Sequence, residues 1–198
     1  DLSSGTGQSK FTCNVFDGTF PGAGAVRPQV NQDHFNIIGS TAGTSFEPIE
    51  FAYNKIRGQL SGASQSGTGM IFGDVPTGSP GWWYIHDNNI VRTNGQGIDV
   101  AGGHNITISN NKVENNGADK ASVTGNHYGI SQFYSTACTN ITLTNNRGIG
   151  RTWYYTGTGQ TVGLNDNGTC TSVTKTGNNF MDTTLTPDIF DEHFSQCD

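Results

Sequence analysis

The residues that could do chemistry are few. Lys112 and Arg147 each follow an Asn, in Asn111-Lys112 and Asn146-Arg147, and Glu114 lies close to the first. Two cations held side by side can grip a carboxylate. Asp99 stands at the centre of Gly97-Ile-Asp-Val100, and His86, His104 and His127 recur at intervals on either side of it. A glycoside hydrolase needs a second carboxylate about 5–10 Å from the first. The positions equivalent to Asp99 read Ile71, Ser131 and Gly163, so no acid matches it. Trp82, Trp153 and Tyr154 could stack on sugar rings from loop or strand-start positions, and the polar groups of His86 and Asp99 would complete a carbohydrate-binding set.

What must position these residues is a repeat. Ile106-Thr-Ile-Ser-Asn-Asn-Lys-Val113 has the pattern apolar-x-apolar-x-x-Asn-x-apolar. Ile49 to Ile56, Trp83 to Ile90, Ile141 to Gly148 and Val173 to Phe180 follow it, and Cys13 to Phe20 reads the same way with Gly18 in the Asn slot. A short strand points its two apolar residues inward. Asn or Gly then makes a corner, since both tolerate a left-handed backbone, and a second strand begins. Gly69-Met-Ile-Phe72, Gly97-Ile-Asp-Val100 and Gly129-Ile-Ser-Gln132 add a further strand per coil, as does Thr161-Val-Gly-Leu164 without the Gly. Self-similarity at this period marks a stacked array. In such a stack each Asn lies above the last, and so do Lys55, Asn89, Lys112, Arg147 and Asn179.

These repeats, from about Ile49 to Phe180, resemble the right-handed parallel β-helix superfamily, the pectate-lyase-like fold. The resemblance implies an all-β, single-stranded right-handed parallel β-helix solenoid of about five to seven coils, with long loop insertions. It would occupy residues 1–180, with irregular first coils over 1–48 and a capping segment with a short helix over 181–198. Thr186-Pro187 reads as the start of that helix. The superfamily spans lyases, hydrolases, epimerases, adhesins and non-catalytic proteins. Its polyuronate lyases take a proton α to a carboxylate with a basic residue while another cation, or calcium, neutralises the acid. That chemistry would fall to Lys112 and Arg147. The paired-Asp and Gly-His-Gly signatures of its polygalacturonases are absent, as is the Asp-Pro-His of its epimerases.

Composition narrows the classes. The 198 residues include 28 Gly and 20 Asn, and only 13% are charged, which suits turn-rich β structure rather than helix. A net charge of −6 disfavours nucleic acid as a partner. No run approaches eighteen apolar residues, so no helical membrane span is expected. The start at Asp1 reads like that of a processed secreted chain. Four cysteines suit an oxidising compartment. Cys138 and Cys170 stand three residues before equivalent strand positions, about one strand spacing apart, and predict a disulfide. Cys13 and Cys197 are then expected at opposite ends of the stack, as free or intermolecular thiols, since joining them within one molecule needs the tail to run back along the stack. Asn105, Asn140 and Asn167 open glycosylation sequons.

The expected function is a secreted, non-catalytic β-helix, a structural or adhesive subunit that self-associates through solenoid ends, in the extreme as a head-to-tail filament. The alternative is a polysaccharide lyase on an acidic glycan. No cofactor is expected; the one metal option is calcium between Asp87 and Asp99.

Overall fold

The fold follows from three short strands per repeat. A computed structural model of the chain describes residues 9–17, 33–37, 43–58, 68–73, 81–93, 95–115, 126–127, 130–132, 138–152, 160–161, 164–166 and 170–198. The first coil is β1 (Lys10–Thr12), β2 (Val15–Asp17) and β3 (Asp33–Ile37). The second is β4 (Ile49–Ala52), β5 (Lys55–Arg57) and β6 (Thr68–Phe72). The third is β7 (Gly81–His86), β8 (Asn89–Val91) and β9 (Ile98–Val100). The fourth is β10 (Gly103–Ser109), β11 (Lys112–Asn115), a two-residue β12 (Asn126–His127) and β13 (Ile130–Gln132). The fifth is β14 (Cys138–Thr144), β15 (Arg147–Thr152), a two-residue β16 (Gln160–Thr161) and β17 (Leu164–Asp166). A last strand, β18 (Cys170–Thr176), ends the series.

The chain visits three sheets in rotation. The first sheet runs β1-β4-β7-β10-β14-β18, and the third runs β3-β6-β9-β13-β17. The second runs β2-β5-β8-β11-β15, with β12 and β16 pairing β15 in antiparallel fashion. All other pairings between the named strands are parallel. This is an all-β, β-helix-like arrangement of parallel strands in stacked sheets. Like residues stack on like: Phe11, Phe51, Ile85, Ile108 and Leu143 form one column, and Met70, Ile98, Ile130 and Leu164 another. Phe11 and Phe51 lie face to face at 5.0 Å, and the core fills the space between the sheets.

The Asn column is a polar seam running through the interior. Asn14, Asn54, Asn88, Asn111, Asn146 and Asn178 stack despite sequence gaps of 40, 34, 23, 35 and 32 residues. Each Oδ1 from Asn54 onward accepts both the backbone N–H and the Nδ2 of the preceding Asn, at 2.9–3.1 Å. The Nδ2 groups also donate to backbone carbonyls, as Asn111 does to Ile85 and Ser109 at 3.0 Å. The left-handed residue at each corner is not the Asn. It is the residue before it: Cys13, Tyr53, Asp87, Asn110, Asn145 and Gly177, all with φ between 52° and 66°. The ladder also corrects the first repeat. Phe11 pairs with Phe51 and Asn14 stacks on Asn54, so the repeat begins four residues before Cys13 and Asn14 fills its Asn slot; Gly18 lies outside the described residues. Likewise Leu164, not Val162, aligns with Ile130, which makes Asn165 rather than Gly163 the partner of Ser131.

The tail runs back along the flank of the second sheet. Asp182 sits beside Arg147, and Leu185, Ile189 and Phe190 pack on Val91 and Ile149. Asn89 donates to the Ile189 carbonyl, and the Arg57 guanidinium lies 3.8 Å above the Phe190 ring. The expected helix is a 3-10 turn over Pro187–Asp191, and Thr186 makes no side-chain cap to it. A second 3-10 turn, Ser195–Cys197, brings Cys197 to Cys13, and the two form a disulfide with a Cα separation of 5.5 Å. The expectation of free or intermolecular thiols is therefore wrong. The reason is the reversed path of this strap, which returns the last residues to the first coil. Cys138 and Cys170, paired in register on β14 and β18, form the predicted bridge.

Asn111→Ala leaves the buried Asn88 N–H without its acceptor and takes one donor from each of the Ile85 and Ser109 carbonyls, while the Asn88 Nδ2 keeps the Phe51 and His86 carbonyls. An orphaned buried group costs about 1–3 kcal/mol and the weakened ladder adds to it, so a loss of about 2–4 kcal/mol is expected in urea denaturation. Asn14→Ala, on the half-exposed end rung, should cost about 1 kcal/mol. Equal losses at the two sites would remove the ladder as the source.

Candidate functional site

Lys112 and Arg147 are register partners on β11 and β15, as the repeat predicts. Both face the strap. Lys112 Nζ donates to Glu192 at 2.5 Å, and Arg147 Nε donates to Asp182 at 2.5 Å. Arg57 and Asp191 add a third pair at 3.4 Å. The hydrogen bond from Arg147, helped by Thr184, holds the Asp182 carboxyl well down, to about 2. The same bond raises Arg147 above its ordinary value. The two cations are therefore engaged in holding the strap.

The outer face of the first sheet is built differently. Its strands carry a kink one residue before the first inward side chain, where Trp82, Asn105, Asn140 and Ser172 all take φ between 53° and 59°. The kink turns these side chains outward, beside the outward row Tyr84, Thr107, Thr142 and Thr174. A cleft of about 430 Å³ lies here, lined by Ser45, Pro48, Trp82, Tyr84, Asn105, Thr107, Asn140 and Thr142 together with Trp83. Trp83 itself is a core residue, whereas Trp82 is half-buried and meets His104 edge-on. The loop at 43–48 forms the rim. Gly43 donates to the Gly81 carbonyl at 3.0 Å, and a Cβ on Gly43 would stand 2.6 Å from the Trp82 carbonyl, so only glycine lets the loop lie this close. Thr44 and Glu47 close the turn, and Phe46 between them is 92% exposed. Apart from the Tyr84 phenol, no lining side chain among the described residues is ionisable.

Beside Tyr84 lies a half-buried charged cluster. The His86 ring stacks on Tyr84 at 3.9 Å. Its Nδ1 meets Asp87 at 2.7 Å and its Nε2 meets Glu50 at 3.1 Å, and Lys10 pairs with Glu50 at 2.7 Å. Burial pushes the Glu50 carboxyl up, but hydrogen bonds from Lys10 and His86 outweigh it and leave the group below its ordinary value. Tyr53 packs edge-on against both His86 and Phe194, and its phenol is raised by burial and by the charges of Asp87 and Glu50. His86 is thus held inside a charged cluster that supports one wall of the cleft.

The other expected residues scatter. Asp99 is buried on β9 in the third sheet, opposite Ile71 and Ser131, and lies in a different sheet from His86. Asp87 is turned to His86. Among the described residues no group of three or more His, Cys, Asp or Glu side chains gathers that could hold a metal ion. Trp153, Tyr154 and Asn167 lie outside the described residues. Asn105 and Asn140 both line the cleft, Asn140 donates to Asn105 Oδ1, and Asn140 is the exposed one. The Glu50–His86–Asp87 cluster was missed in the sequence, although the register that pairs Ala52 with His86 and Glu50 with Tyr84 carries the signal. No helix among the described residues is long and apolar enough to cross a membrane.

Comparison with protein-family models, with curated proteins and with solved structures finds no match to this chain.

The Arg147–Asp182 pair makes strap docking acid-sensitive. Because folding lowers the Asp182 carboxyl from 3.8 to about 2, its stabilisation is complete above 3.8 and is lost as the pH falls toward 2. The urea midpoint of the native chain should fall across this window, and Asp182→Asn should start lower and fall less. Parallel curves would show that another group is responsible.

Proposed function

We propose that this is an extracellular, non-catalytic right-handed β-helix, an adhesive module that binds uncharged carbohydrate on the outer face of its first sheet. One observation carries the reading: a cleft on a rigid sheet that combines the aromatic rings of Trp82 and Tyr84 with amides and hydroxyls and, among the described residues, has no charged lining. Amphipathic rings offer apolar faces for the C–H side of a sugar, and amides and hydroxyls pair with its hydroxyl groups. Two disulfides fit an oxidising compartment. In a host that glycosylates, Asn140 is the exposed acceptor, and a glycan there would occupy the same cleft.

The filament form of the reading has less support. Lys175 continues the inward column of Leu143 on β18 and is exposed. An inward charge on an edge strand opposes further strand addition. The Cys13–Cys197 bridge also closes within one chain, so it offers no covalent link between copies. The lyase alternative rests on the adjacency of Lys112 and Arg147, and against it stands their engagement by Glu192 and Asp182.

Retention on neutral and acidic polysaccharides, measured by affinity electrophoresis, tests the reading. The native protein should be slowed by a neutral polysaccharide more than by polygalacturonate, with no unsaturated product in ultraviolet absorbance. Trp82→Ala should weaken binding at least about tenfold while the chain stays folded, since the ring is half-exposed. Binding that ignores Trp82, or cleavage of polygalacturonate that Lys112→Ala abolishes, would replace this account with the alternative.

A further inference from the structure

The cleft repeats. On β10 it offers Asn105 and Thr107, and on β14 Asn140 and Thr142. On β18 the equivalent positions are Ser172 and Thr174, beyond the cleft's lining but in the same rows. The kink is the same on each strand, with φ of 53°, 57° and 55°. Three consecutive coils therefore present a short side chain able to hydrogen-bond at the kink and a hydroxyl two residues later. The coil on the other side breaks the series: β7 presents Trp82 and Tyr84 at these positions. The surface is a polar track with an aromatic stop at one end.

The spacing of the track is the spacing of parallel strands, about 4.8 Å. That is close to the advance of one pyranose ring in an extended polysaccharide. A ligand that meets the same groups on successive coils must itself repeat along the stacking direction. The cleft's volume of about 430 Å³ falls among pockets that enclose drug-sized molecules, which is more than a monosaccharide requires. The Asn105 and Asn140 amides now pair with each other. Each has an adjacent polar partner, His104 or Asn105, that fixes its orientation. The rim residue Phe46, almost fully exposed between two cleft-lining positions, extends the apolar end.

We infer that the cleft takes a linear, uncharged polysaccharide lying along the stack with one sugar per coil. One ring rests on Trp82 and Tyr84. The rings that follow place hydroxyls on Asn105 with Thr107 and on Asn140 with Thr142. This rests on the carbohydrate-binding reading above and adds to it the shape and direction of the ligand. Because the rungs are alike, each further sugar adds similar contacts until the cleft is filled.

Calorimetric titration with cello-oligosaccharides and β-1,3-gluco-oligosaccharides of one to six units tests this, using the full chain. Affinity for one of the two series should rise at least about tenfold from one unit to three and then level off. Thr142→Val keeps the side chain's shape on a half-exposed position. It should weaken binding of the trimer several-fold more than binding of the monosaccharide, whereas Trp82→Ala should weaken every length. Affinity that does not depend on length would overturn the track and indicate recognition of a single sugar, leaving the adhesive reading in place. Failure of both series and of the neutral polymers would overturn the two together.

Discussion

The asparagine ladder is the constraint on which the rest depends. Apolar burial alone does not fix the register of a stack of short strands: a one-residue slip turns every side chain over, but a two-residue slip keeps the apolar face inward. Here each rung ties a backbone N–H and a side-chain amide to the Oδ1 of the next, so a slipped coil would leave buried donors without acceptors. Apolar columns such as Phe51–Ile85–Ile108–Leu143 supply the burial, but the ladder specifies which residue stacks on which. It also absorbs insertions. Coils separated by 23 and by 40 residues meet in identical geometry, because only the corner and the strands need to match.

The strap adds long-range closure to a molecule whose contacts otherwise pass from coil to neighbouring coil. It crosses the second sheet from Arg147 to Cys13, using carboxylates where the sheet offers cations and apolar groups where it offers Val91 and Ile149. Its disulfide spans 184 residues, and closing so long a loop restricts the unfolded chain strongly. The strap occupies one flank and the cleft occupies the outer face of a different sheet. Tyr53, edge-on to both His86 and Phe194, links the strap to the ring that stacks on Tyr84.

Much of this was legible because Asn spacing is a local signal. The repeated Asn gave the stacking order, the pairing of Lys112 with Arg147 and the Cys138–Cys170 bridge, all consequences of one register. The corner chemistry was not legible in the same way. Tyr53, Asp87 and Cys13 have no compositional mark that identifies them as left-handed, while the Asn beside them does. The first repeat misaligns in the sequence because Gly18, in the Asn slot, suits a corner as well as Asn14 does. The return of the strap was hidden because its acidic residues acquire meaning only against cations from three other coils. The cleft needed still more: the kink at Trp82, Asn105 and Asn140, and the approach of residues 43–48, which only Gly43 permits.

If the ladder fixes the stack, its backbone amides must open only when the whole molecule unfolds. Native-state hydrogen exchange at the N–H groups of Asn54, Asn88, Asn111 and Asn146 measures this directly. The account predicts that all four exchange at one rate, equal to that of global unfolding and equally sensitive to urea. Faster, urea-independent exchange at Asn88 or Asn111 would mean that these rungs open locally, and that something other than the ladder holds the coils in register.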